Sequence, residues 1–328
     1  MNNRIDIFVE LGNHLATFAQ RQDIIDEAIE ANPWFTRGDI LRSVEAIRLT
    51  MLQRHKLERW LAHYTPASTP QRVALIMAGN IPLVGFFDLM CVLLSGHKCY
   101  VKPSSKDRVL MRYVVDELRS ISPDIAIYDY SADDSYDLAI ATGGEDANRY
   151  FDEHFATTRS LLRGSRHSIA VLDGSETEVE IEALATDITA YSGLGCRSVS
   201  MIFYPKGLTP KLGLRNASCK KLEQNIRTRK ALLMMQGSQF DDYVGYIATR
   251  GTTFPKSLGE VTLHAYTTLS DVEIWLREHS EDVQCVVSHI SSLNTHLPFG
   301  RIISFGSAQY PALDDYADGV DTMAFLTR

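Results

Sequence analysis

The stretch RVALIMAGNIPLVGFFDLMCVLLSGHKCYVKPSSKD, residues 72–107, decides the fold of this chain. It opens with the apolar run RVALIM (72–77), bounded by Ala78-Gly79, the pattern of a short strand buried in a parallel sheet. PLVGFFDLMCVLLSG (82–96) has the length and apolar spacing of a helix, closed by Gly96. KCYVKPS (98–104) reads as the next strand, ending at Lys102-Pro103. Strand, helix and strand at this spacing make a parallel pair with a right-handed crossover.

The alternation continues outward on both sides. Downstream come a helix over roughly 106–120 and the strands DIAIYDYS (124–131) and DLAIATGG (137–144). HSIAVLDG (167–174), a helix near 179–194 and RSVSMIFYP (197–205) follow, and helices and strands continue to about 305. Upstream, residues 1–66 have helical spacing broken at Asn32-Pro33, and TPASTP (65–70) is a turn-rich linker. The expected architecture is α/β: two doubly wound parallel-sheet domains behind an N-terminal helical segment. The expected boundaries are 1–66 for the helical segment, 67–165 and 166–305 for the two domains, and 306–328 for a C-terminal segment. That last segment, with Asp314, Asp315, Asp318 and Asp321, reads as a docked surface element in preference to a metal site.

Composition narrows the function. Of 328 residues, 45% are hydrophobic and 23% charged, ordinary for a globular protein. The net charge of −8, with no long basic run, argues against a nucleic-acid partner and leaves a small-molecule substrate as the better fit. The start has no apolar run of signal-peptide type. The longest apolar stretch, Ile81 to Leu94, is broken by Pro82, Gly85 and Asp88, so no membrane span is expected. Five cysteines, an odd number without a CxxC pair, fit neither a disulfide framework nor a structural zinc site. The chain reads as cytoplasmic, with reduced thiols and no metal.

Four local features carry chemistry. Asn80, in GNIP after a buried strand, stands where its amide can donate to a bound carbonyl, although taken alone it reads more simply as an N-cap. Lys102, at the end of the next strand, can hold a ribose or phosphate, or be a solvated lysine. Thr142-Gly143-Gly144 sits between strand and helix and permits close backbone approach to a phosphate, as many plain turns do. Cys196, in YSGLGCRS (191–198), is flanked by glycines and Arg197, a setting that can favour a thiolate and aim backbone N–H groups at an oxyanion. Cys91 and Cys99 lie in apolar strings and read as packing, as do Phe86, Phe87 and Met90.

The order strand–GNIP–helix, strand–KPS–helix, strand–TGG–helix, then a loop cysteine before a strand, resembles the aldehyde dehydrogenase superfamily. AGNIPLVGFFDLMCVLLSGHKCYVKPSSKD (78–107) is similar to its long-chain acyl-CoA reductase branch, the reductase component of bacterial bioluminescence and its relatives. The resemblance covers about residues 70 to 205 and implies an aldehyde dehydrogenase-like fold. The domain at 67–165 would bind the nicotinamide cofactor, the domain at 166–305 would carry the catalytic Cys196, and the C-terminal segment would pack on the cofactor domain or a partner subunit. It further implies Asn80 in the oxyanion hole, Lys102 on the adenosine ribose, Thr142, Gly143 and Gly144 near the pyrophosphate, and assembly as a homodimer.

Three departures refine this. Hydrolytic relatives carry an acidic base that would fall near Leu162, yet no Asp or Glu occurs between Glu153 and Asp173. Lacking a group to activate water, the chain suits reduction of an acyl-CoA better than oxidation of an aldehyde. Where many NAD-preferring relatives have an acid three residues after the lysine, this chain has Ser105. Ser104, Ser105 and Lys106 suit a 2′-phosphate, so NADPH is the expected cofactor, with NADH the alternative. The chain is also shorter than typical members, and Glu260 is the candidate for the family's ribose-binding Glu. The expected activity is acyl-CoA reduction to an aldehyde. An acyl-phosphate reductase of the glutamyl-phosphate type and a catalytically silent binding protein of this fold are the alternatives.

Overall fold

The computed structural model describes residues 2–297 and 302–328. The chain forms two compact units, Met1–Ser165 with Pro311–Arg328, and Arg166–Tyr310.

The first unit begins with four helices, α1 (Asn2–Leu15), α2 (Gln22–Ala31), α3 (Arg37–Thr50) and α4 (Arg54–Leu61). Their apolar stripes, including Phe8, Leu11, Ile25, Ile40 and Leu57, merge with one face of the sheet in a single core. Next come β1 (Arg72–Ile76), α5 (Phe86–Ser95), β2 (Lys98–Lys102), α6 (Arg108–Ile121), β3 (Ile127–Asp129), β4 (Leu138–Thr142), α7 (Glu145–His154) and β5 (Arg159–Arg163). The five strands pair in parallel in the order β3-β2-β1-β4-β5. The order reverses between β1 and β4, which makes the carboxyl ends of those strands the natural ligand crevice of an open sheet.

Two local expectations differ from what is observed. The helix expected from Pro82 begins at Phe86, because Leu83 is left-handed with φ 57° and the chain turns through 82–85 first. Strand β5 was not anticipated, since it ends in a charged Arg163. That arginine is buried by pairing with Asp88 at 2.5 Å. Phe86 and Met90 are core residues, as their helical spacing suggests.

The second unit comprises β6 (His167–Val171), α8 (Glu178–Thr189), β7 (Val199–Pro205), α9 (Lys220–Met235), β8 (Asp241–Asp242), β9 (Ile247–Arg250), β10 (Glu260–Tyr266), α10 (Leu269–Glu278), β11 (Val283–Val287) and β12 (Ile302–Ile303). Their order is β12-β11-β6-β7-β10-β9-β8, parallel except for the short edge strand β8. Capping boxes start α8 (Thr177 with Glu180) and α10 (Thr268 with Asp271). These helices cover opposite faces: Leu184 and Ile188 pack on one side of the sheet, Val272 and Leu276 on the other.

The chain ends in the first unit, where α11 (Thr322–Thr327) packs against α5. Asp321 caps α11 by accepting from the Ala324 amide at 2.8 Å and also accepts from the Tyr64 hydroxyl at 2.8 Å. Among the described residues no helix is long and apolar enough to cross a membrane.

Candidate active site

In the first unit the parallel pairing brings Asn80, Lys102 with Ser104 and Ser105, and Thr142-Gly143-Gly144 to the same, carboxyl edge of the sheet. Asn80 does not cap a helix: Gly85 holds that position for α5, and Asn80 lies half-buried in the loop that precedes the turn. Gly79 lets this loop and the one after β2 meet. A Cβ added there would lie 2.5 Å from the Ser104 Cβ and 3.2 Å from the Asp107 Cβ.

The glycine pair after β4 divides its labour. A Cβ on Gly143 would fall 2.7 Å from that of Ala147, so its lack of a side chain lets α7 sit close on the sheet. Gly144, the N-cap of α7, has nothing within 4 Å of its would-be Cβ. That opening, at a helix N-terminus beside the point where strand order reverses, fits a dinucleotide pyrophosphate. Lys102 is exposed, its Nζ 5.5 Å above the Tyr130 ring, and Ser105 and Lys106 are exposed beside it. These residues fit the cofactor that the sequence implies.

Cys196 is half-buried in the second unit. Helix α8, expected to run to about 194, stops at Thr189, and Tyr191, Ser192 and Gly193 then follow with φ 53°, 58° and 73°. Two consecutive non-glycine residues in the left-handed region are strained and persist where packing over-determines them. Here Tyr191 and Ser192 are both buried, and the Ser192 hydroxyl lies 2.6 Å from that of Ser218. The next turn closes with the Ser198 amide donating to the Gly195 carbonyl at 3.0 Å, and Ser168 on β6 donates to the Cys196 carbonyl at 2.8 Å. Cys196 is thus held on a fixed turn at the amino edge of its sheet, just before β7.

A cavity of about 240 Å³ opens at that edge beside the cysteine turn, lined by Thr189, Ser192, Ser198, Lys256 and His167 among others. His167 stacks on Phe254 with centroids 4.2 Å apart, its Nδ1 lies 3.1 Å from the Ser200 hydroxyl, and burial lowers its pKa below the usual histidine value. Glu260 also lines the cavity, but its carboxylate is engaged by Arg229 at 2.8 and 3.0 Å and by Thr249 at 2.9 Å. Cys91 and Cys99 are fully buried, and burial raises both thiols, so neither is a nucleophile.

Sequence reasoning missed the residues that position these groups. Ser168 and Asp107 were unmarked because their partners, Cys196 and Leu83, are 28 and 24 residues away. A group of Asp173, Glu176 and His289, close enough for a cation, was also unmarked. Its donors are already used: Glu176 accepts from the Asp173 and Gly174 amides, and His289 faces Glu180 at 2.9 Å.

Residues 17–224 match the family model described as acyl-CoA reductase (LuxC). Among curated proteins the chain is similar to long-chain acyl-protein thioester reductase 2 of Photobacterium leiognathi, 27% identical over 175 residues, covering 46% of this chain and 36% of that protein. It is similar also to the long-chain acyl-protein thioester reductase of Photorhabdus laumondii, 22% identical over 272 residues, covering 75% of this chain and 55% of that protein. The chain therefore spans about half or less of the length of these relatives. In fold it is similar to aldehyde dehydrogenase 21 of Physcomitrella patens, with TM-score 0.67, 10% identity, and coverage of 99% of this chain and 83% of that one. An indole-3-acetaldehyde dehydrogenase variant of P. syringae, in complex with NAD+, aligns with TM-score 0.65, 12% identity, and coverage of 89% and 72%. The fold is that of the aldehyde dehydrogenases.

Proposed function

This chain belongs to the acyl-CoA reductase (LuxC) family, and from that premise we propose that it reduces an acyl-CoA thioester to the aldehyde with NADPH, through a thioester on Cys196. The observation that carries the proposal is the anchored turn at Cys196, left-handed at Tyr191 and Ser192 and tied to β6 by Ser168. A thiol on a strained, pre-set turn suits nucleophilic catalysis better than packing.

The Cys196 thiolate attacks the thioester carbonyl carbon, forming a new carbon–sulfur bond and an oxyanion. The Cys196 backbone N–H donates to that oxyanion, the family resemblance assigns a second donor to the Asn80 amide, and each such donor is worth roughly 10²–10³ in rate. The carbon–sulfur bond to CoA then breaks, and the CoA thiolate leaves and takes up a proton. The nicotinamide cofactor, when bound by Lys102, Ser104, Ser105 and the Thr142–Gly144 turn, supplies the hydride that brings the acyl group to the aldehyde level. Cys196 departs as a thiolate, ready for the next acyl group.

The acyl-enzyme must outlast water for this to work. Position 162, where the hydrolytic relatives' acid would fall, is a leucine in β5, and the neighbouring Arg163 is occupied by Asp88. A leucine at that position supplies no carboxylate to activate water, which favours hydride transfer to the acyl group over hydrolysis.

Intact-mass spectrometry after mixing with a panel of acyl-CoAs, with Cys196→Ala as control, tests the proposal. The expected result is an acyl adduct on the unaltered chain alone, discharged to aldehyde by NADPH. An adduct formed only from an acylated protein thioester would change the donor. Turnover of acyl phosphates with no CoA adduct would replace the reading with the acyl-phosphate one. Cofactor binding with no adduct from any donor would make the chain a silent member of the fold.

A further inference from the structure

The loop carrying Asn80 is held from outside at three points. Gly79 packs directly on Ser104, the Ser43 hydroxyl donates to the Pro82 carbonyl at 2.6 Å, and the Leu83 amide donates to Asp107 Oδ2 at 2.8 Å. The third contact has the most to hold. Leu83, with φ 57°, sits in the left-handed region, which is strained for a residue with a Cβ. Such a conformation lasts only where a specific partner fixes it.

Asp107 is an unusual partner. It occupies the N-cap position of α6, where an aspartate ordinarily accepts from the helix's own first-turn amides, yet it makes no such bond. It is 2% exposed, Oδ2 is spent on Leu83, and Oδ1 is buried without a hydrogen-bond partner among the described residues. Burial holds the carboxyl well above the usual carboxylate range, with the Leu83 amide as the opposing influence. A neutral acid in that place still accepts the Leu83 amide and leaves no buried charge uncompensated.

The geometry points to Asp107 as the positioning residue of the Asn80 loop: by holding Leu83 left-handed it keeps the Asn80 amide in one conformation. This rests on the reading of Asn80 as an oxyanion donor. Donors of that kind stabilise charge because they are aimed before the charge develops, so freeing the loop forfeits rate while leaving ground-state affinity nearly intact.

The test is a double-mutant cycle on the full chain, reading the rate of CoA release from butanoyl- to hexadecanoyl-CoA. Asp107→Ala is expected to lose about 10²-fold in acylation rate at nearly constant KM, close to the loss for Asn80→Ala. The double variant is expected to fall no further than Asn80→Ala alone, because the two residues act through one amide. Asp107→Asn, which keeps a carbonyl acceptor for the Leu83 amide, is expected within about threefold of the unaltered chain. Losses that multiply in the double variant overturn the inference, as does an Asp107→Ala variant at full rate. Should the alanine variant fail to fold, the asparagine variant decides: a tenfold or larger loss there equally overturns it. A slow Asn80→Ala beside a fast Asp107→Ala sinks this inference alone. A full-rate Asn80→Ala sinks the oxyanion reading itself.

Discussion

The hydroxyl of Ser168, on β6, donates a 2.8 Å hydrogen bond to the backbone carbonyl of Cys196 and lies 3.0 Å from the Cys285 sulfur on β11. A side chain on the sheet thus fixes the backbone of the loop that carries the proposed nucleophile. Ser168→Ala removes that hydrogen bond, at a cost of about 0.5–1.5 kcal/mol. We expect slower acylation of Cys196 by acyl-CoA, measured by adduct mass against time, with the thiol still alkylated by iodoacetamide. Acylation at the unaltered rate would detach Ser168 from the chemistry.

The two glycines after β4 should part company. Gly143→Ala places a Cβ 2.7 Å from that of Ala147 and should lower the melting temperature. Gly144→Ala meets no atom within 4 Å, so it should melt normally yet bind NADPH more weakly if the phosphates lie on that turn. Melting curves and a cofactor titration read the two effects separately. Unchanged NADPH binding by Gly144→Ala would move the pyrophosphate elsewhere.

Cofactor choice is expected to rest on Ser105 and Lys106, both exposed beside Lys102. Ser105→Glu adds a carboxylate that repels a 2′-phosphate and can accept from a ribose 2′-OH. The ratio of kcat/KM for NADPH over NADH should fall by about tenfold or more, which corresponds to roughly 1.4 kcal/mol. A ratio that does not move would place the 2′-phosphate on other residues.

The pair Arg163–Asp88 is buried on both sides, 5% and 9% exposed, with a 2.7 Å bond from Arg163 to Thr322 of α11 as well. Arg163→Met leaves Asp88 buried without its cation, a loss of about 3–5 kcal/mol. Adding Asp88→Leu should recover much of that, since an apolar pair of similar volume carries no desolvation penalty. Chemical denaturation of the single and double variants checks both statements, and a double variant as unstable as the single would contradict the second.

His289 gives a pH dependence whose sign can be worked out. Its pKa is raised, chiefly by Glu180 and also by Asp173. Stability from the charged imidazole is therefore complete below the ordinary histidine value and is lost as pH rises through the raised one. Glu180 is lowered by the Thr177 amide and by His289, so its share appears above the ordinary carboxylate range and fades as pH falls. Both are present together at about pH 5–6. The groups are 28% and 27% exposed, so the gain is at most about 1 kcal/mol, or ~2–4 °C in melting temperature. His289→Gln should flatten the fall in melting temperature between pH 6 and 8.

The βαβ alternation was legible because its signals are local. RVALI and LAIAT are each apolar at four of five positions and become inner strands, and the order of strand-end residues followed from the chain itself. The same logic marked Asn80, Lys102 and Thr142–Gly144, since parallel strands must present their carboxyl ends at one edge. Boundaries failed where a distant group intervened: α5 starts four residues late because Leu83 is held left-handed by Asp107, and α8 ends early at the strained Tyr191-Ser192. β5 escaped notice because Arg163 belongs in a strand only when Asp88 is there to pair with it.

The sheet-and-helix order apart from β5, the cysteine before β7, and the lack of an acid between Glu153 and Asp173 were readable along the chain alone. Those depend on residue type, period and spacing along the chain. Only the tertiary structure decided that Asp107 serves Leu83 instead of α6, that Ser168 grips Cys196, and that Glu260 is bound to Arg229. A buried polar side chain takes the partner that packing brings within 3 Å, and separation along the chain does not reveal which that is.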